Sequence, residues 1–153
     1  MNLRSLTMVA AMLFLAACAS GQNSATNTGT GSNAAPGSRE DFVQNVGDRV
    51  FFDFDKSDIK PEGQQTLQRQ AAWLKKYASV KVTVEGHCDD RGTREYNLAL
   101  GNRRANAVKR ALVALGIDAG RITTISYGKE RPAVVGDNEQ AWAQNRRGVT
   151  VIN

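Results

Sequence analysis

Between Val84 and Leu112 the chain reads VEGHCDDRGTREYNLALGNRRANAVKRAL, and its charges fall where they could hold a small zwitterion. Asp89 and Asp90 come just before a helical pattern that carries Arg103 and Arg104 in its first turns. The first N–H groups of a helix lack intrahelical partners and attract anions, so opposite charges converging there suit a ligand with both an amine and a carboxylate. Asp89 and Arg104 are the pair to watch, because a planar guanidinium can donate two parallel hydrogen bonds to a carboxylate. The plainer alternative is that the two bridge each other and tie the loop to the helix.

Catalytic readings of the same stretch are weaker. His87 is the single histidine and stands beside Cys88, but adjacent residues of an extended segment point to opposite sides and cannot form a nucleophile and base pair. His87, Cys88 and Asp89 are contiguous, and no second histidine exists to complete a zinc-hydrolase ligand set. No metal or cofactor is therefore expected. His87 reads as a structural hydrogen-bonding residue, and Cys88 as a buried packing residue with disulfide-linked dimers the minor alternative.

The flanking pattern places this chemistry. Val80, Val82 and Val84 alternate with Lys81, Thr83 and Glu85, which predicts a half-buried strand that Gly86 ends. Leu98, Gly101, Ala105, Val108, Leu112 and Leu115 recur at steps of three and four, so they form the buried stripe of a helix with Gly116 as its C-cap. Phe42 and Val43 open the folded part, and Val50 to Phe54 reads as the first strand. Asp55 to Lys60 is a loop. Pro61 then starts a helix with the stripe Leu67, Ala71, Leu74 and Ala78. Ile122 to Tyr127 is predicted as a third strand, and Gly148 to Ile152 as a fourth. Between them Asp137 to Arg146 is predicted as a short helix, with Asp137 and Gln140 spaced like a capping box. Helices on one face of a mixed four-stranded sheet would bury these stripes together, an α+β two-layer sandwich. Asn97 is first a cap or turn former and only second a ligand contact.

At 153 residues the chain is long enough for one cored domain. Asn2 and Arg4, the apolar run Met8 to Ala17, and small residues before Cys18 predict an export signal over residues 1–17. That run is about half of the roughly 20 residues a spanning helix needs. Leu15-Ala16-Ala17-Cys18 resembles a bacterial lipobox, which makes Cys18 a lipidated N-terminus, and the absence of an acidic residue after it implies the outer membrane. Ala19 to Ser38 is almost wholly Ser, Gly, Asn, Thr, Ala and Gln, so residues 18–38 are expected to be a lipidated, flexible tether before a domain at 39–153. Twenty such residues span about 25 Å on average and roughly 70 Å when stretched. The formal charge is +5, one less without Arg4, and the basic residues are interspersed with acids. That is a solvated surface on an exported domain, and nucleic acid is not the expected partner.

The runs GHCDDRGTREYN and LALGNRRANAVKRAL resemble the signature of the outer-membrane protein A-like peptidoglycan-binding domain. FFDFDKSDIKPEG, YGKERP and NRRGV are similar to its peptidoglycan-associated lipoprotein branch, and together these motifs cover roughly Asp48 to Ile152. The resemblance implies that Asp89 takes the ammonium, and Arg104 the carboxylate, of diaminopimelate in the peptidoglycan stem peptide. It implies that the Phe54-Asp55 turn brings backbone amides to the ligand, that Leu100 and Gly101 contribute main-chain groups, and that Arg91 lines the rim. Arg146 and Arg147 read first as support for the sheet edge and second as polymer contacts. The implied function is non-covalent tethering of the outer membrane to the cell wall in the Tol/Pal system, with the periplasmic propeller protein TolB as alternating partner and a part in division. A wall hydrolase, an amidase or muramidase, is the competing class, and a flagellar-stator or secretion-machine domain a third. Asp89→Ala and Arg104→Ala are each expected to abolish retention on sacculi with the fold intact.

Overall fold

The computed structural model describes residues 34–153, so the predicted export signal, the Cys18 anchor and residues 19–33 of the predicted tether lie outside the described residues. The elements are α1 (Arg39–Asp41) running into a π-helical turn (Phe42–Val46), β1 (Arg49–Phe51), α2 (Pro61–Lys76), β2 (Val82–His87), α3 (Arg94–Ala114), a 3-10 turn (Ala119–Arg121), β3 (Ile122–Gly128), α4 (Glu139–Asn145) and β4 (Arg147–Ile152). The strands make one mixed sheet in the order β1-β4-β2-β3. β2 and β3 are parallel, and β4 is antiparallel to both of its neighbours. A parallel pair needs a crossover, which α3 supplies.

Strand periodicity separates the two faces of the sheet. Val82 and Val84 point toward the helices and join Leu67, Ala71 and Leu74 of α2 and Ala105, Val108 and Leu112 of α3 in one apolar core. The predicted stripes are thus the buried ones, except that Ala78 lies beyond the end of α2 and is exposed. Its place is taken by Trp73, which packs edge-on to Phe42 at 4.9 Å and donates from Nε1 to Asp41 Oδ2 at 2.9 Å. On the opposite face, Arg49, Val149, Glu85 and Ile125 lie side by side across the four strands. Among the described residues no helix is long and apolar enough to cross a membrane.

Four boundaries differ from the sequence reading. β1 ends at Phe51, so Phe52, Asp53 and Phe54, predicted as strand, lie beyond it and lead into the turn at Asp55. The other three have local reasons. Ser38, assigned by composition to the tether, caps α1 by accepting from Asp41 N, and Gly37 N donates to Asp41 Oδ2. The cap of α4 is Asn138, whose side chain accepts from Ala141 N, and not Asp137 paired with Gln140. β2 does not end at Gly86. It continues to His87 through a register shift against β3.

Gly86 is there because nothing larger fits. A Cβ on Gly86 would lie 1.8 Å from the carbonyl oxygen of Gly101, and a Cβ on Gly101 would lie 2.3 Å from Ser126 Oγ. The N-terminal half of α3 therefore rests backbone against backbone on β2 and β3, pinned by a 2.7 Å bond from Ser126 Oγ to Leu98 O. That close approach fixes how far the side chains of α3 reach past the end of the sheet. Since a methyl cannot be fitted against main chain without moving the helix, Gly86→Ala is expected to cost about 3 kcal/mol or leave the protein unfolded, read from urea unfolding.

Candidate functional site

Where β2 leaves the sheet, a cleft of about 150 Å³ is lined by Phe54, Asp55, Asp89, Arg91, Gly92, Tyr96, Asn97, Leu100 and Arg104. Seven of the eight residues singled out from the sequence meet here. The eighth, Gly101, is on the sheet-facing side of α3, so its close-approach role holds and it is not part of the wall. A larger hollow of about 250 Å³ on the uncovered sheet face, among Arg39, Arg49, Glu85 and Arg147, gathers none of the eight.

Arg104 sits in the third turn of α3, later than the sequence placed it, and its side chain is fully buried. Nε donates to Lys56 O at 2.8 Å, Nη1 to His87 O at 2.9 Å and Nη2 to Asp53 O at 3.0 Å. Among the described residues no carboxylate pairs with it. Burial pulls its pKa below the usual arginine value, yet a guanidinium remains charged in any protein. Three of its five N–H groups are taken by carbonyls. The two left are the number a carboxylate needs for bidentate binding.

Asp89 is 4% exposed and carries two cations of its own. Its Oδ2 accepts from Arg91 Nη2 at 2.6 Å and from Arg146 Nη1 at 3.3 Å. Burial pushes its pKa up, but these hydrogen bonds, from Arg91 and then Arg146, outweigh burial and hold the carboxyl below its ordinary value. Arg146 also donates to Phe52 O and, through Nη2, to Glu139 Oε1 at 2.5 Å. The Arg91 guanidinium is stacked between the rings of Phe54 at 3.9 Å and Trp142 at 4.0 Å, so the rim residue is clamped in place. The two residues chosen from the sequence share the cleft but do not bridge each other.

The remaining predicted charges diverge. Arg103 is exposed over the ring of Tyr96, and the carbonyl of the exposed Asp90 accepts from Lys129. Asn97 is structural as expected, with Nδ2 donating to Arg91 O at 2.7 Å and Thr93 O at 2.9 Å, while Thr93 is the actual cap of α3. Cys88 is buried and its thiol donates to Asn97 O at 3.3 Å; burial raises its pKa. Arg147 holds the carbonyls of Asn145 and Arg131, in keeping with support for the sheet.

Sequence reasoning missed Tyr96, Gly92, Trp142, Glu139 and the ion pair of Arg146 with Asp89. Tyr96 could have been found, because it lies four residues before Leu100 on the same helical face. Nothing local announces that Arg146, 57 positions away, reaches Asp89.

The OmpA family matches residues 51–146 of this chain. The chain is 55% identical to the peptidoglycan-associated lipoprotein of Agrobacterium fabrum over 92% of its own length and 82% of that protein's. It is 46% identical to the protein of that name from Haemophilus influenzae, over 95% of both chains. The crystal structure of the peptidoglycan-associated lipoprotein from Burkholderia pseudomallei superposes with a TM-score of 0.68 at 43% identity, covering 69% of this chain and 90% of that one. The C-terminal domain of Helicobacter pylori MotB, at 22% identity and a TM-score of 0.64 over 69% of this chain and 84% of that one, shares the fold alone.

Arg104 cannot be removed as harmlessly as the sequence implied. Truncation strands the buried carbonyl of His87, frees the turn at Asp53 and Lys56 and empties the space of a fully buried side chain, so Arg104→Ala is expected to lower stability by about 3 kcal/mol in urea unfolding, whatever it does to binding. His87 gives a second outcome. Burial, followed by the positive charges of Arg147 and Arg131, lowers its pKa from 6.5 to about 4. The unfolded chain therefore binds the proton first, and the stability from the neutral ring is complete above pH 6.5 and lost as pH falls toward 4. Unfolding free energy is expected to drop by about 2 kcal/mol between pH 7.5 and pH 5, and the drop should flatten in His87→Gln.

Proposed function

The chain belongs to the OmpA family, within its peptidoglycan-associated lipoprotein branch, and we propose that its cleft binds peptidoglycan without covalent chemistry. The ligand is the diaminopimelate of the stem peptide: its free carboxylate pairs with Arg104 and its ammonium with Asp89. The observation that carries this reading is the buried Arg104 guanidinium, which lines a cleft without any carboxylate partner among the described residues. An unpaired buried charge is costly to hold, and an incoming carboxylate would relieve that cost.

Phe54 and Asp55 form one wall, Leu100 and Asn97 the floor, and Arg91 the rim. Because Asp89 already carries Arg91 and Arg146, the ammonium must share its carboxylate with them, and the partly exposed Arg91 is the one that can yield. Hydrolysis of a sugar bond needs two carboxylates, one held protonated by a raised pKa, whereas Asp89 is kept ionised by two guanidinium groups. The site is built to hold a ligand.

Residues 1–17 act as export signal, Cys18 carries lipid, and residues 19–36 let the domain that follows reach the wall from the outer membrane. The relatives' name supports the anchoring. Membership of the Tol/Pal system, alternation between wall and TolB, and a part in division follow from the same kinship. Each acyl methylene buried in the bilayer adds about 0.8 kcal/mol, so several chains on one cysteine would anchor it durably.

The ligand itself offers the cleanest test. Full-length protein in detergent micelles is titrated with stem tripeptides that differ at the third residue. Diaminopimelate is expected to bind at least about tenfold more tightly than lysine, which lacks the carboxylate, or than diaminopimelate amidated at its free carboxylate. Equal affinity for all three would remove Arg104 from recognition and overturn this assignment.

A further inference from the structure

Asp55 is the one non-glycine among the described residues with a positive φ, 58°, the left-handed conformation that aspartate tolerates better than most L-residues and that marks the apex of a tight turn. The two feet of its turn are held from below. Lys56 N donates to Asp53 O at 3.2 Å, and Arg104 binds the carbonyls of both Asp53 and Lys56. The apex is held from the side, where the phenol of Tyr96 donates to Asp55 Oδ1. Tyr96 is itself anchored in the first turn of α3, its N–H bonded to Thr93 Oγ1 at 3.2 Å. The amide N–H groups of Phe54 and Asp55 have no partner among the described residues. The ring of Phe54 also carries the guanidinium of Arg91, which in turn holds Asp89.

We propose that Tyr96 is a positioning residue for stem-peptide binding: its phenol latches the Phe54-Asp55 turn so that the two unpaired amides and the Phe54–Arg91 stack are preset before the ligand arrives. This rests on the function proposed above. An unlatched turn would have to be ordered at the moment of binding, and that entropy would come out of the affinity. The phenol already shows the coupling, since the hydrogen bond to Asp55 raises its pKa above the ordinary tyrosine value.

Two measurements on the full-length protein in micelles test the latch. Tyr96→Phe removes one hydroxyl and keeps the ring beside Arg103. It is expected to bind the diaminopimelate tripeptide about fivefold more weakly, the cost of ordering the unlatched turn, with global stability lowered by no more than one exposed hydrogen bond. Asp55→Asn keeps the acceptor, so it should lose less affinity than Tyr96→Phe. In an Asp55→Gly background, Tyr96→Phe should have no further effect. Wild-type affinity in Tyr96→Phe, or a loss in Asp55→Asn as large as in Tyr96→Phe, would overturn the proposal, the latter by making the Asp55 charge itself the contact.

The second measurement needs no ligand. Hydrogen exchange at the amide of Lys56, which donates to Asp53 O, should speed up in Tyr96→Phe and stay slow in Asp55→Asn. Unchanged exchange would sink the latch even if the tripeptide binds, whereas altered exchange in a protein that binds no tripeptide would keep the latch and reject the ligand.

Discussion

A single guanidinium joins three segments of this domain: the turn after β1, the end of β2 and α3. Arg104 reaches from α3 to the end of β2 at His87 and to both feet of the Asp53–Lys56 turn, and each bond goes to a backbone carbonyl, that of His87 being buried. Carbonyl oxygens compensate the charge only in part. The same residue therefore closes the fold and leaves a positive charge incompletely answered, and the cleft forms around that remainder.

Geometry upstream of Arg104 makes this possible. Because Gly86 and Gly101 bring α3 onto the sheet without intervening side chains, Leu100 and Arg104 emerge at the strand end instead of being lifted away from it. A helix seated at ordinary side-chain distance would stand the guanidinium off from all three carbonyls. Asp89, two residues past the end of β2, is then held by a separate set of contacts: Arg146 between α4 and β4, and Arg91 clamped between Phe54 and Trp142. Acid and base are thus fixed by different elements, which keeps them in one cleft without letting them neutralise each other.

The sequence disclosed the elements well and the partnerships poorly, for a physical reason. Periodicity reports which face of an element is apolar, so the stripes of α2 and α3, the alternation of β2 and the mixed sheet could be read directly. Charge proximity along the chain does not report who pairs with whom. Arg103 and Arg104 are neighbours in sequence, yet about 100° of helical rotation sends one to solvent and the other into the core. Asp89 was read beside Arg104, but its ion pairs are with Arg91 and with Arg146, which arrives only when β4 enters the sheet. Gly86 read as a strand terminator because a lone glycine breaks a β pattern, whereas here it marks a close approach of two backbones. The eight residues taken from the family resemblance carried more of the cleft than spacing alone could, since resemblance already encodes the tertiary neighbours.

Under the proposed assignment, the charges of the cleft favour a zwitterion over a simple anion or cation. Asp89 and Glu139 are each answered by Arg91 and Arg146, so that set of ions is already balanced and offers a cation a shared carboxylate, not a vacant one. Arg104 alone lacks an acid, so a carboxylate gains a whole partner. A ligand with only an ammonium would compete with Arg91 and leave Arg104 unanswered. A ligand with only a carboxylate would satisfy Arg104 and forgo Asp89. The group that satisfies both ends carries the two charges on one short carbon skeleton, and the aromatic clamp on Arg91 sets how far that residue can yield to admit it.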